Sequence, residues 1–295
     1  MIAHRAQWSL RRMQKSEDRF PSIAKQGFVY GVFNDSKYVM HAHANIEISC
    51  LIEGSFSITI EGRTYILRPG DVALVCSNQF HSHRTLGHSR TFTFGFRPDV
   101  IPFYEELFAG KAMLAPVFRR GTYPYEFVDW MNRLLRRSPM SSGKMSELGI
   151  LLSMLGSLID ENPPIPIEFE DTLERRLIIY VTENCFKPIS LSDVAQHFSL
   201  SQSAASRLIT RVFDVGFTEC IRTMRMNTAK RLLGLYSCSI TDIAARCGYD
   251  SVRTFNRAFF QETGMTPSAY RKNNAYSKLF APSPTPLEVS DWDDN

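Results

Sequence analysis

Cysteine is sparse and unpaired. The six residues Cys50, Cys76, Cys185, Cys220, Cys238 and Cys247 are scattered through 295 positions without a CxxC pair. With no secretory leader, this pattern fits reduced thiols in a cytoplasm better than a disulfide framework or a zinc ribbon. Long apolar runs are also lacking. The longest, "LGILLSMLGSLI" at 148–159, falls short of the roughly 20 residues a membrane helix needs, so no membrane span is expected. No P-loop, nucleophile elbow or dinucleotide fingerprint is present, and no catalytic residue or cofactor is expected. The opening "MIAHRAQWSLRRMQK" lacks acidic residues and reads as a tail rather than a transit peptide.

What is present is ordinary globular composition, 44% apolar and 22% charged, in a chain long enough for two cored domains. From about 27 to 97 the pattern alternates. "SFSITIEG" puts Phe56, Ile58 and Ile60 on one face, and "RTFTFGF" does the same with Phe92, Phe94 and Phe96. Turn signals stand at Glu53-Gly54, Glu61-Gly62 and Arg68-Pro69-Gly70-Asp71, so a small antiparallel barrel or sandwich is expected. After Pro98 the period becomes helical, with Leu148, Leu151, Leu152, Leu155, Leu158 and Ile159 on one stripe that either joins a second copy or packs on its own domain. The prolines of "ENPPIPIEFE" then mark a linker. The expected layout is a tail at 1–24, a sensor barrel at 25–100, a helical dimerisation or coupling segment at 101–161, a proline-rich linker at 162–168, a helical domain at 169–273 and an acidic tail at 274–295.

The helical third repeats itself. In "SITDIAARCGYDSVRTFNRAFFQETG", Ser239 can cap a short helix, Gly248 suits the left-handed residue that ends it, and a second helix follows, closed by Gly264. "SLSDVAQHFSLSQSAASRLITRVFD" has the same form from Ser190, with Ser206-Arg207 standing where Asn256-Arg257 stand later. Two helix-turn-helix units, joined by "TECIRTMRMNTAKRLLGLY", are far more specific than one. This segment resembles the DNA-binding domain of the arabinose-regulator (AraC/XylS) family of bacterial transcription factors, whose signature here reads "IAARCGYDSVRTFNRAFFQETGMTPSAYR". It departs from the family at Asp214, where a glycine is usual, and at Ala205, where a large apolar anchor is usual. Asp tolerates the left-handed conformation.

Between Asp171 and Asn273, Lys and Arg outnumber Asp and Glu by 14 to 9. Such a surplus gains affinity for duplex DNA by displacing counterions, while Arg and Asn pair bidentately with guanine and adenine edges. A charged helix face is ordinarily just solvated; the repeat, the surplus and the signature together decide for double-stranded DNA. The reading residues are Gln202, Ser203, Ser206, Arg207 and Arg211 in the first unit, and Val252, Arg253, Asn256 and Arg257 in the second. Phe255 and Phe259 are core by their spacing.

His41, His43 and Glu47 share parity in "HAHANIEISCLIEG", and a second turn brings His81 and His83 to the end of another strand. The pattern His-x-His-x(3)-Glu-x(6)-Gly resembles that of the cupins, although Pro69 and Gly70 are adjacent where the enzyme form separates them. Three readings stay open: a Zn, Fe, Mn or Ni site, a small-molecule pocket, and plain structural histidines. The adopted reading assigns His41, His43, Glu47 and His81 to an effector, a sugar among the candidates, with no metal. The expected fold is α+β, a cupin-like antiparallel barrel with a helical pair, then an all-α double helix-turn-helix. The resemblance implies a cytoplasmic homodimeric regulator that acts on RNA polymerase. The rival is a metal-dependent cupin enzyme with an accessory helical domain.

Overall fold

The computed structural model describes residues 27–136, 145–160, 162–235 and 238–274. The expected tail at 1–24 and nearly all of that at 274–295 lie outside them. The chain divides into two compact units, one built mainly on His43–Phe169 and the other on Glu170–Ala275. Tyr38–Ala42 falls outside the first unit's continuous run, but its strand is hydrogen-bonded into that unit's sheet.

The first unit is an antiparallel sheet of β1 (Phe28–Asn34), β2 (Lys37–His41), β3 (Ile46–Ile60), β4 (Arg63–Leu67), β5 (Val72–Val75), β6 (His81–Phe96) and β8 (Val117–Phe118). Its order is β1-β6-β3-β5-β8, with β2 on β6 and β4 on β3, while β7 (Lys111–Ala112) pairs with β9 (Ile165–Pro166). The two long strands carry the alternation read from sequence: Phe56, Ile58 and Ile60 are buried, and so are Phe92, Phe94 and Phe96. Two expected turns form. Glu61 and Gly62 both have positive φ between the paired Ile60 and Arg63, the geometry of a tight two-residue hairpin. Asp71 closes the other turn, with its N–H on the Arg68 carbonyl at 2.9 Å.

Glu53-Gly54 is a correction. It makes no turn but lies inside β3, where the register against β6 shifts on both sides of it. Gly54 has φ +82°, and a Cβ there would overlap the His88 carbonyl oxygen across the strand pair. A left-handed glycine in a strand produces a bulge that bends it, which no local signal distinguishes from a turn.

Helices α1 (Tyr104–Leu107), α2 (Glu126–Leu135) and α3 (Met145–Ile159) complete the unit. α3 packs on α2. Leu151, Leu155, Leu158 and Ile159 are buried within the chain, and Leu148 and Leu152 are half-buried, so most of the leucine stripe is used in its own domain. Downstream, Pro163 and Pro164 precede β9, and the Ile167 N–H reaches the Gly110 carbonyl at 3.0 Å.

The second unit is all helix: α4 (Leu173–Asn184), α5 (Leu191–His197), α6 (Gln202–Phe213), α7 (Phe217–Leu235), α8 (Ile240–Arg246), α9 (Val252–Thr263) and α10 (Pro267–Asn274). Serines start four of these helices, Ser190 and Ser239 as expected and Ser201 and Ser251 besides. Ser190, Ser201, Ser239 and Ser251 each accept the N–H of the residue three positions on, and Asp193 completes a capping box with Ser190. Asp214 ends α6 in the left-handed conformation at φ 57°, and Gly264 ends α9 at φ 68°. α7 contributes Met226, Ala229, Leu232 and Leu233 to a core that includes Ile243, Ala244, Cys247, Phe255 and Phe259.

Candidate nucleic-acid interface and sensor site

The N-cap serines set where α6 and α9 begin, and the buried residues of each helix set which side faces outward. On α9 the apolar pair Phe255 and Phe259 is wholly buried, with ring centroids 5.6 Å apart, and Tyr270 meets Phe259 edge-on at 5.1 Å. The helix is thereby held by one side, and Arg253, Asn256 and Arg257 are exposed on the other. Val252 does not join them. It is half-buried and packs against the same core. Phe260, which sequence reasoning passed over, is 54% exposed on the polar face. Counting seven residues on from Arg253 would have found it.

On α6, Ala205, Leu208, Ile209 and Phe213 are buried, which leaves Gln202, Ser203, Arg207 and Arg211 exposed and Ser206 half-buried. Arg211 is engaged by Glu174 of α4 at 2.7 Å. Both side chains are largely exposed, so the pair is weak and screened by salt.

The histidines and Glu47 singled out in the sequence sit where β2, β3 and β6 meet. Residues 42–45 are irregular, so His41 ends β2 and Glu47 belongs to the start of β3; the shared parity of one continuous strand does not apply. His81 opens β6 rather than closing a strand. Ligand atoms of His41, His43 and His81 nevertheless all lie within 4.8 Å of one another, and the rings of His43 and His81 meet edge-on at 4.9 Å. Each Nδ1 faces a backbone carbonyl: Val39 for His41 at 2.9 Å, Asn45 for His43 at 3.0 Å and Gln79 for His81 at 2.9 Å. A carbonyl only accepts, so Nδ1 carries a hydrogen in each of these rings. Glu47 joins through His43 Nε2 at 3.4 Å.

Burial pushes His81 down to about 4, aided by His43 and opposed by Glu47. Burial also lowers His83 to about 4, and its ring lies tilted against Phe56 with centroids 4.9 Å apart. Burial alone would raise the Glu47 carboxyl, but the hydrogen bond to His43 and the charges of His81, His43 and His83 outweigh it and hold it well below the usual carboxylate range. The cluster therefore offers imidazole nitrogens beside one carboxylate, a donor set suited to a polar organic ligand and equally to a divalent transition metal. Burial pushes the Cys50 and Cys76 thiols up to about 12, so both act as small core residues.

Residues 29–149 match the family described as AraC-like ligand binding domain, and residues 194–273 match the helix-turn-helix domain family. The chain belongs to the AraC/XylS family of transcription regulators. An uncharacterised helix-turn-helix regulator of Escherichia coli K12, YijO, is 27% identical over 82% of this chain and 85% of its own. A second E. coli regulator, YpdC, is 30% identical over 46% of this chain and 48% of its own. The melibiose operon regulatory protein of the same strain is 32% identical over 33% and 32%. The chain thus spans under half the length of the last two relatives. AraC/XylS proteins are regulators, not enzymes, and the cupin-enzyme rival falls with that assignment. Among the described residues no helix is long and apolar enough to cross a membrane.

Proposed function

We propose that this chain is a cytoplasmic transcription regulator in which a small molecule bound by the sheet unit changes how the double helix-turn-helix engages duplex DNA. The observation that carries the reading is the pair of serine-capped helices α6 and α9, each buried along one side and polar along the other, in a segment with surplus positive charge. Arg253, Asn256 and Arg257 read bases in the major groove, as do Gln202, Ser203 and Arg207 in the first unit, while Ser206 and Arg211 serve from its edge. His41, His43, Glu47 and His81 hold the effector through Nε2 and carboxylate hydrogen bonds, and the sugar-operon relatives favour a sugar-like polyol as its class. Recruitment or blocking of RNA polymerase follows from the family's mode of action. Homodimerisation would draw on the half-buried Leu148 and Leu152 of α3.

The test is to sequence random DNA fragments retained by the pure full chain, with and without candidate sugars. A single enriched motif whose recovery changes with one sugar supports the proposal, and no enrichment refutes it. Effector response should disappear in His43→Ala and His81→Ala while DNA binding persists. Protein purified without chelator is expected to carry well under one metal ion per chain; stoichiometric metal by elemental analysis would replace the effector reading of this cluster.

A further inference from the structure

The helix α7 joins the two helix-turn-helix units, and one side chain on it reaches both. Arg225 sends Nε to the Cys185 carbonyl at 2.7 Å and Nη2 to the Lys187 carbonyl at 2.9 Å, both in the segment that follows α4. Its Nη1 donates to the Gly248 carbonyl at 2.8 Å, in the turn between α8 and α9. α4 packs on α6, so the Cys185–Lys187 segment is tied to the first unit, while Gly248 belongs to the second. Three nitrogens of one planar fork therefore hold three carbonyls from two units. Lys, a point charge, cannot reproduce that geometry. The guanidinium also lies 5.6 Å from the Tyr249 ring centroid.

A second feature places the same two segments in direct contact. Gly248 has φ +76°, and a Cβ there would stand 2.5 Å from the Phe186 carbonyl oxygen and 2.8 Å from its carbonyl carbon. Backbone meets backbone, with only a glycine admitted between. At the other end of α9, Glu262 pairs with Arg222 and, at 3.2 Å, with Lys230, so α9 is also fastened to α7. In the sequence the signal is a charge in a buried row: Arg225 lies four residues after Ile221 and four before Ala229, and both of these are buried.

We propose that Arg225 is a positioning residue for DNA readout, locking the α8–α9 turn onto the end of α4 so that α6 and α9 are presented at one fixed separation. This rests on reading the chain as a DNA-binding regulator. A lone helix joint would bend and twist, and the two recognition helices would then accept half-sites at several spacings. With the lock, one spacing is accepted.

The experiment has two arms on the full chain. In a Cys238→Ser background, nitroxide labels at Ser203→Cys and Arg257→Cys report the α6–α9 distance by pulsed electron resonance without DNA. The distribution is expected to be single and narrow, and to broaden about twofold or more in Arg225→Gln and in Arg225→Lys at unchanged helix content. Equal widths would overturn the proposal; should Arg225→Gln fail to fold, Arg225→Lys decides. In the second arm, unlabelled protein binds its selected duplex and a copy with one base pair inserted between half-sites, which shifts and rotates one groove segment against the other. The insertion should cost the native chain roughly tenfold in affinity and the Arg225 variants only about twofold. An undiminished penalty in the variants overturns the proposal. A native chain that binds no duplex overturns the DNA reading instead, and the label distances still decide whether Arg225 is the lock.

Discussion

Each helix-turn-helix unit starts its helices on serines and ends its recognition helix on a left-handed residue, yet the two are filled differently. α9 is anchored by Phe255 and Phe259, wholly buried and flanked by the rings of Tyr249 and Tyr270. α6 presents Ala205 at the position that Phe255 holds in α9, and relies on Leu208, Ile209 and Phe213. The outward faces differ in the same sense: α9 offers the exposed Arg253 and Arg257 around Asn256, whereas α6 offers Arg207 and an Arg211 already paired with Glu174. Repetition of caps thus fixes where helices begin, while side-chain volume and charge decide how firmly each is held and how much it reads. The second unit should carry most of both stability and specificity.

The largest test removes the anchor. Phe255→Ala deletes a buried ring and should cost about 3–5 kcal/mol of stability, measured by denaturant unfolding of the helical unit, whereas Leu208→Ala in the first unit should cost about 2–5. A smaller loss at Phe255 than at Leu208 would break the comparison. Binding comes next. Arg253→Ala and Asn256→Ala should each lose about 1–3 kcal/mol on the selected duplex and little on scrambled DNA, as read by fluorescence anisotropy. Arg207→Ala should lose less, and Arg211→Ala less again. If Arg253→Ala weakens all sequences alike, that side chain contacts phosphate.

The smallest effects concern the helix ends. Gly264→Ala forces a Cβ into the left-handed region and should cost about 1–2 kcal/mol. Asp214→Gly relieves the first unit's end of the same constraint, and its effect should stay within about 1 kcal/mol because the unfolded chain gains freedom at the same time. Thermal melts of both variants measure the difference.

Local chemistry made much of this legible. Ser239, Ser251 and Gly264 announce helix ends within three residues of themselves, and Phe255 with Phe259 defines a buried side by spacing alone. What depends on a distant partner stayed hidden. Gly54 became a bulge because β6 runs past it, a fact held in residues 81–96 and not beside the glycine. The parity of His41, His43 and Glu47 pointed to one face of a strand, and the irregular 42–45 segment broke that strand, yet β6 still brought His81 to the two histidines. Val252 lies at the edge of the outward arc, where packing against a core built from several helices decides its side. Arg225 shows in the sequence only as a charge in an apolar row, while the three carbonyls it holds come from segments 38 to 40 and 23 residues away.

The central claim is that the exposed faces of α6 and α9 lie on DNA. The most direct measurement is the affinity of the full chain for its selected duplex across a salt series, paired with a footprint of the same complex. Log affinity should fall linearly and steeply with log salt, and the footprint should cover two adjacent major-groove segments, with Arg253→Ala losing contrast in only one. A folded chain whose DNA binding ignores salt, or whose footprint is unchanged by substitutions on both α6 and α9, would contradict it.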